Sequence, residues 1–327
     1  MDQNIISVEG LSKDFKVRQR DKAGMLSSLK SLFSPTTVVV EAVKNISLNV
    51  GKGEIRGLIG PNGAGKSTTI KILSGILYPT SGQVDVLGYI PWKQREELVK
   101  NIGVVFGQKS QLWWDLPPID AFALNKKLYE IPDQLYKENI EFFVDVLNIG
   151  DVVKKPVRQL SLGERMKCEF VAALLHHPPL VFLDEPTIGL DIVSKEAVRT
   201  FIKEVNKQKG ITFIVTTHDM GDIADLCGRI SIINKGTIVF DDSIDKLFTF
   251  FSHKKVVELK FTKEVREQDV EKLNGTLLNP YTAEIEIDLT KTDMKSEIAK
   301  FFELLPIQDI NINSISIEEV IKEIYRQ

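Results

Sequence analysis

The segment from residue 60 to residue 68 has the composition of a phosphate-binding loop. In its sequence, GPNGAGKST, four residues separate the first glycine from Gly-Lys-Ser. The segment follows an apolar strand pattern and precedes a helical one. Glycines allow the backbone N–H groups of such a loop to point inward around an anion. Lys66 can then reach the terminal phosphates, and the Ser67 hydroxyl suits Mg²⁺. The sequence therefore predicts a nucleoside triphosphate site at the start of this helix.

Polar side chains also follow three apolar strand patterns. Asp184 and Glu185 end LVFLDE, where the first suits Mg²⁺ coordination and the second can orient or activate a water. The competing interpretation is a solvated pair of acids without chemistry, and the phosphate loop in the same chain argues against it. His218 follows TFIVTT and Gln108 follows VVFG. A lone residue of either kind at a strand end is more often structural or exposed than functional.

A second anion receptor is predicted far along the chain from the phosphate loop. Ser161 and Gly163 stand at the start of a helical pattern within VRQLSLGERMKCEF. The free N–H groups and the dipole of a helix N-terminus favour negative charge. One chain thus offers two phosphate-binding segments, and the sequence spacing alone does not say whether they serve the same phosphate.

The composition describes a globular chain without a disulfide framework. Hydrophobic residues make up 43% of the 327 residues and the formal net charge is −3, which excludes global disorder and indicates no broad nucleic-acid surface. Cys168 and Cys227 lie in helical patterns and predict buried thiols in a reducing compartment. No apolar run approaches the roughly 20 residues of a membrane-spanning helix, and the N-terminus lacks a signal-peptide pattern.

The elements around these motifs predict an α/β fold with a β-rich core. Residues 4–17 read as a strand, a turn and a second strand, and residues 18–38 read as an insertion. Strand, glycine-rich loop and helix then follow in the order typical of α/β proteins. Between about 116 and 178 the strand patterns disappear and helical periodicity dominates, which predicts a helical subdomain. The core, with this subdomain and the insertion, is expected to span residues 1–248.

The last segment, residues 249–327, has a different pattern. KVVELKFT and TAEIEIDLT alternate apolar and polar residues, as half-buried strands do, and DMKSEIAKFFELL is amphipathic. We expect a small α+β domain here. Its role is open between structural support, contact with a second copy and a regulatory ligand site.

Taken together and in order, these motifs resemble the ATP-binding cassette of ABC transporters, over residues 4–245. The resemblance covers the Walker A loop GPNGAGKST, the Q-loop glutamine, the signature LSLGE, the Walker B strand LVFLDE, the D-loop IGLD and the switch histidine. It implies the P-loop NTPase fold of ABC cassettes, ATP hydrolysis, and ATP and Mg²⁺ as the bound groups. In such cassettes two copies meet head to tail, so the two anion-binding segments of one chain bind different ATP molecules.

The resemblance also implies a role for each matching residue. Glu185, His218 and Gln108 correspond to the catalytic groups, with Glu185 as general base, and Ser67, Gln108 and Asp184 to the groups around Mg²⁺. Phe15 matches the aromatic residue that stacks on adenine. The further nucleotide-binding positions are Gly60, Pro61, Asn62, Gly63, Ala64, Gly65, Lys66, Ser67 and Thr68 in the chain itself, and Ser161, Gly163 and Asp191 across the dimer interface.

The signature departs from the common LSGGQ in two places. Leu162 replaces a glycine and Glu164 replaces a glutamine, and we expect the glutamate to turn away from the phosphate into solvent. These variants, with VVFGQKSQLWWDLP and DEPTIGLD, resemble a group of bacterial export cassettes whose permease is a separate polypeptide. Trp113 and Trp114 follow the Q-loop, where they either pack in the helical subdomain or face the permease.

The implied partners are integral-membrane permease subunits and a second cassette, identical or related, at the cytoplasmic face of the membrane, with no nucleic acid expected. Two other functions stay open at this point. One is a soluble ABC-type ATPase acting on nucleic acid or ribosomes. The other is a regulator that binds ATP without turning it over.

Overall fold

The computed structural model describes residues 4–18, 37–107, 109–250, 253–315 and 317–326. Most of the insertion expected at 18–38 lies outside the described residues, and so does Gln108. The chain divides into two compact units, residues 1–242 and 243–327. The domain limits proposed from the sequence place the boundary after residue 248.

A six-stranded sheet forms the centre of the first unit. Its strand order is β5-β6-β7-β3-β8-β9, and the pairs β5–β6, β6–β7, β7–β3 and β3–β8 are parallel. The strands are β3 (Ile55–Ile59), β5 (Ile102–Phe106), β6 (Leu180–Asp184), β7 (Thr212–Thr217), β8 (Arg229–Asn234) and β9 (Thr237–Ser243). Strand β7 is buried along its whole length, as parallel strands covered on both faces are. The carboxyl ends of β3, β6 and β7 therefore meet at one edge of the sheet.

A smaller antiparallel sheet, ordered β2-β1-β4, packs beside this core. Its strands are β1 (Asn4–Arg18), β2 (Thr37–Gly51) and β4 (Ser81–Val86). The turn expected within residues 4–17 is wrong, because β1 is continuous. Gly10, with φ +61°, lies at a register shift between Val8 and Leu11, so the chain bulges and continues as a strand.

Helices complete the first unit. They are α1 (Lys66–Leu73), α2 (Arg95–Val99), α3 (Pro118–Leu128), α4 (Asp133–Leu147), α5 (Leu162–Leu174), α6 (Ile192–Lys209) and α7 (Met220–Leu226). Helices α3, α4 and α5 occupy the segment with helical periodicity. Phe201 of α6 packs edge to face against Phe143 of α4 and Phe170 of α5, at centroid distances of 6.0 and 5.6 Å. These three buried rings hold α5 against α6.

The second unit contains a four-stranded antiparallel sheet in the order β11-β12-β10-β13. Its strands are β10 (Lys254–Phe261), β11 (Gly275–Asn279), β12 (Thr282–Asp288) and β13 (Ile307–Ser314), and its helices are α8 (Ile244–Phe250), α9 (Glu267–Glu271), α10 (Met294–Leu304) and α11 (Ile317–Arg326). Alternate residues of β10 and β12, such as Leu259 and Ile285, form its core with Phe301 of α10. Strands and helices together make this an α+β unit.

Within the part of the chain that the structure describes, no helix combines the length and the apolar character needed to cross a membrane.

Candidate nucleotide-binding site

A cavity of about 310 Å³ opens at the carboxyl edge of the central sheet, beyond the ends of β3, β6 and β7. Its walls are formed by the loop before α1 and by groups from the ends of neighbouring strands. The lining residues are Ala42, Asn62, Gly63, Ala64, Gly65, Lys66, Ser67, Thr68, Glu185, Ile188 and His218. The structure thus brings most of the predicted phosphate loop together with two predicted catalytic residues from distant strands.

The loop depends on glycine at two points of close backbone approach. A Cβ on Gly65, where φ is +112°, would lie 2.5 Å from the Ala42 carbonyl oxygen, and a Cβ on Gly60 would lie 2.4 Å from the Ile233 carbonyl oxygen. Any larger residue would push the loop off the strands behind it. Gly65 is also the N-cap of α1 and provides no side chain to cap it, so the first N–H groups of the helix remain directed at the cavity.

Lys66 lies inside the loop with only 6% of its side chain exposed. Its Nζ donates to the carbonyl oxygens of Gly60, at 2.7 Å, and Pro61, at 3.3 Å, and lies 3.9 Å from Glu185 Oε1. Burial lowers the pKa of Lys66, while the charges of Glu185 and Asp184 act to raise it. The loop therefore holds a cation, stripped of much of its water, where phosphate oxygens would replace the carbonyls as partners.

Ser67, which lines the cavity, and Asp184 behind it form an oxygen-rich pair. The Ser67 hydroxyl donates to Asp184 Oδ1 at 2.9 Å, and the Thr216 hydroxyl donates to the same oxygen at 2.6 Å. Hydroxyl and carboxylate oxygens beside a phosphate loop are the ligands that Mg²⁺ prefers. The donor set therefore fits the predicted metal. Gly107 donates its N–H to the Asp184 carbonyl at 2.8 Å, and Gln108 comes next in the chain but lies outside the described residues.

Glu185 and His218 are in direct contact, with 2.7 Å between Glu185 Oε2 and His218 Nδ1. Glu185 adopts a left-handed backbone conformation, φ +56°, which costs a non-glycine residue about 1–3 kcal/mol. Its N–H donates to the carbonyl and hydroxyl oxygens of Thr216, at 3.0 and 3.1 Å, and these bonds hold the strained residue. The conformation directs the carboxylate back over the phosphate loop.

The predicted second anion receptor lies outside this cavity. Ser161 is the N-cap of α5, and its hydroxyl accepts from the Glu164 N–H at 3.2 Å, while the Glu164 carboxylate accepts from the Ser161 N–H at 2.8 Å. Glu164, expected to turn to solvent, is half-exposed, and its carboxylate also closes this capping box. Hydrogen bonding to the backbone N–H and to the side chain of Ser161 lowers the pKa of Glu164, which favours the ionised carboxylate at the N-terminus of α5.

Gly163 sits where α5 meets α6. A Cβ on Gly163 would lie 2.5 Å from Ser194 Oγ, so a larger residue here would force Ser194 to move. Asp191 caps α6 by accepting from the N–H and the hydroxyl of Ser194, at 2.9 and 2.7 Å. The N-termini of the two helices therefore lie side by side, and neither Ser161, Gly163 nor Asp191 lines the cavity.

Phe15 does not line the cavity. It is partly buried in β1, pairs with Val40 of β2, and carries the Lys13 ammonium 5.1 Å from its ring centroid. Ala42, two residues beyond Val40, does line the cavity, so this strand pair runs past its rim. The adenine-stacking role of Phe15 stays a prediction. Thr216 and Ala42 are site residues that the sequence did not point to, since neither belongs to a recognised motif.

Comparison with known proteins agrees with this geometry. The family model described as ABC transporter matches residues 43–188. The chain is 30% identical over 223 residues to the ABC transporter ATP-binding protein NatA of Bacillus subtilis, which covers 68% of this chain and 90% of NatA. It is 32% identical to the bacitracin transport ATP-binding protein BcrA of Bacillus licheniformis, over 63% of this chain and 66% of BcrA.

Solved structures show the same fold. The ATP-binding subunit of an ABC transporter superposes with a TM-score of 0.61 at 23% identity, over 76% of this chain and 93% of that one. The CbiO1 protein of Clostridium perfringens superposes with a TM-score of 0.60 at 26% identity, over 76% of this chain and 92% of that one. The predicted P-loop NTPase fold is confirmed, and the chain belongs to the ABC transporter family as one of its ATP-binding, ATP-hydrolysing subunits.

Proposed function

We propose that this chain powers the export of a small molecule or lipid-like compound through separate integral-membrane permease subunits, from the cytoplasmic face of the membrane. The observation that carries the proposal is the convergence of Lys66, Ser67, Glu185 and His218 around one cavity, with Asp184 bonded to Ser67 beside it. This constellation is suited to ATP hydrolysis.

The chain's own residues would divide the work of hydrolysis. Lys66 would bind the terminal phosphates, and Ser67 and Asp184 would hold Mg²⁺, which neutralises charge that develops on the phosphates. Glu185 would orient the attacking water and accept its proton. Since a carboxylate can only accept, the contact with Glu185 requires the proton of His218 on Nδ1, which fixes how the imidazole ring faces the cavity.

A second cassette would complete each site. Ile192 and Val193, directly after the Asp191 cap, are 79% and 78% exposed. Apolar residues this exposed, beside two helix N-termini, are suited to an interface with another protein. In the proposed head-to-tail pair, Ser161 and Gly163 of one chain face the γ-phosphate held by Lys66 of the other. We favour an identical partner, with a related cassette as the alternative.

The permease contact is proposed on Trp113 and Trp114. Their side chains are 52% and 56% exposed, so the interpretation of this pair as core packing is wrong. Exposed tryptophans are frequent anchors of protein interfaces. The buried Glu169 of α5 accepts from the Ser110 hydroxyl and from the Gln111 N–H, at 3.2 Å. A displacement of residues 110–114 would therefore be transmitted to α5, the helix that Ser161 caps.

The direction of transport rests on relatives. Besides BcrA, the linearmycin resistance ATP-binding protein LnrL of Bacillus subtilis is 33% identical over 65% of this chain. A methionine import ATP-binding protein, MetN of Geobacillus kaustophilus, is 27% identical over 81% of it. We favour export because the two relatives named for bacitracin and linearmycin are the more similar in sequence.

The proposal is tested by isolating tagged protein from gently solubilised native membranes and identifying what co-purifies. We expect a stoichiometric multi-span membrane protein. A Trp113→Ala/Trp114→Ala variant should lose it while still binding ATP. The matched control is Leu278→Ala/Tyr281→Ala, which removes two side chains of similar exposure, 53% and 48%, from the second unit. Ribosomes, nucleic acid or only soluble partners would instead favour a soluble ABC-type ATPase.

A further inference from the structure

A buried carboxylate connects the segments that carry the two catalytic residues. Asp222, on α7, is 1% exposed. Its Oδ2 accepts from the hydroxyls of Thr187, in a short hydrogen bond, and Thr217, at 3.4 Å. A charge removed from water to this degree is stable only when its oxygens are occupied by partners. The two threonines are themselves buried, so these bonds are not exchanged with water.

The two threonines stand next to the catalytic pair. Thr187 is two residues after Glu185, and Thr217 immediately precedes His218. Asp222 Oδ2 therefore connects the loop that follows β6 with the carboxyl end of β7. The 2.7 Å contact between Glu185 and His218 depends on the relative position of these two segments.

The other oxygen of Asp222 reaches the helix behind the predicted dimer interface. Asp222 Oδ1 accepts from Arg199 Nη1 at 3.2 Å, and Arg199 lies on α6, which Asp191 caps. Around this bond, Lys195 pairs with Asp219 and Lys203 pairs with Asp225. Helices α6 and α7 are thus joined by a row of ion pairs, and Asp222 is its buried member.

We propose that Asp222 is a positioning residue of the ATPase site: through Thr187 and Thr217 it sets the Glu185–His218 geometry, and through Arg199 it links that geometry to α6. The inference rests on the proposed catalytic role of Glu185. A misplacement of a catalytic group by about 1 Å can reduce turnover by up to about 100-fold. Loss of the connection should therefore lower kcat with little effect on the KM for ATP, because the Lys66 loop is not touched.

The sharpest variant is Thr187→Val, which removes one hydroxyl from Asp222 and keeps the shape of the side chain. We expect kcat to fall at least about 10-fold with KM within about twofold, and Thr187→Ser to restore turnover. Asp222→Asn should show the same pattern if the protein folds. The matched control is Lys203→Gln, which breaks the exposed Lys203–Asp225 ion pair between α6 and α7 and leaves Arg199 and both threonines in place.

A second measurement separates positioning from a purely structural role. If Thr187 acts through Glu185, then Thr187→Val added to Glu185→Gln should lower the residual turnover less than twofold, since residues that act as a unit are not additive. Normal turnover in Thr187→Val, or the same factor of loss in both backgrounds, would overturn the inference. Failure of the catalytic proposal would be seen separately, as a Glu185→Gln variant with unchanged turnover.

Discussion

Glu185 and His218 touch across 33 residues of sequence, with 2.7 Å between Glu185 Oε2 and His218 Nδ1. Glu185 is 17% exposed and His218 is 56% exposed, so the carboxylate lies inward, toward Lys66, and the imidazole lies at the mouth of the cavity. The pair therefore spans the cavity from the buried loop to the surface that a second cassette would cover.

Replacing Glu185 with glutamine should separate ATP binding from ATP hydrolysis. The amide keeps the size of the side chain but cannot accept the proton of the attacking water. We expect turnover to fall at least about 100-fold, while the affinity for ATP, measured by equilibrium binding of a fluorescent analogue, changes little. The matched control is Glu196→Gln, an exposed glutamate on α6, which should turn over ATP normally. Near-normal turnover in Glu185→Gln would remove this residue from the mechanism.

Gly163→Ala should disturb the junction of α5 and α6. The added Cβ would lie 2.5 Å from Ser194 Oγ and 3.1 Å from Ser194 Cβ. We expect a lower melting temperature, by a few degrees, since overpacking typically costs about 1–3 kcal/mol. Ser194→Ala removes the closer of the two atoms, so the double variant should regain part of the loss. If the double variant melts no higher than Gly163→Ala, the proposed clash is not the cause.

The stability of the cassette should fall in mild acid because of His176. Its ring stacks on Tyr129 at 4.0 Å, Nε2 donates to the Ile102 carbonyl, and Nδ1 has no partner among the described residues. Burial lowers the pKa of His176 to about 4, from 6.5. Between pH 6.5 and pH 4 the histidine is therefore protonated in the unfolded chain but neutral in the folded one. The free energy of unfolding is highest above pH 6.5 and falls as the pH decreases toward 4.

At pH 5 the loss from His176 alone is about 2 kcal/mol. His176→Phe keeps the stacking on Tyr129 and removes the titrating group. The drop in melting temperature between pH 7 and pH 5 should therefore be smaller in the variant, by about 4 °C. An equal drop in both proteins would show that His176 does not carry this pH dependence.

Sites formed by contiguous residues could be predicted from the sequence. The loop from Gly60 to Thr68 could be predicted from its own spacing, because its shape depends on local glycine conformations. The family resemblance placed Glu185 and His218 in one catalytic site, but their direct contact was not predicted, since nothing local links the ends of β6 and β7. Asp222 was not predicted at all, because its function depends on side chains that reach it from three other segments.

Two sequence patterns had more than one physical solution. Gly10 looked like a turn between two strands, but a positive φ also allows a bulge within one strand, and the pairing of β1 with β2 and β4 favours the bulge. Glu164 looked like an unwelcome charge near a phosphate, but the free N–H of Ser161 provides it with a partner. The strand pairing that decides the first case lies outside what residue spacing can show, whereas the Ser-x-x-Glu spacing of residues 161–164 is itself that of a capping box and could have predicted the second.

The most direct test of the account is the mass of the protein with and without Mg-ATP, measured by light scattering after gel filtration. Glu185→Gln should shift from the 36.9 kDa chain to a dimer when Mg-ATP is added, because unhydrolysed ATP bridges Lys66 of one chain and Ser161 of the other. Adding Ser161→Arg should keep the protein monomeric while each chain still binds ATP. A Glu185→Gln protein that stays monomeric in Mg-ATP, or a dimer that tolerates Ser161→Arg, would contradict the account.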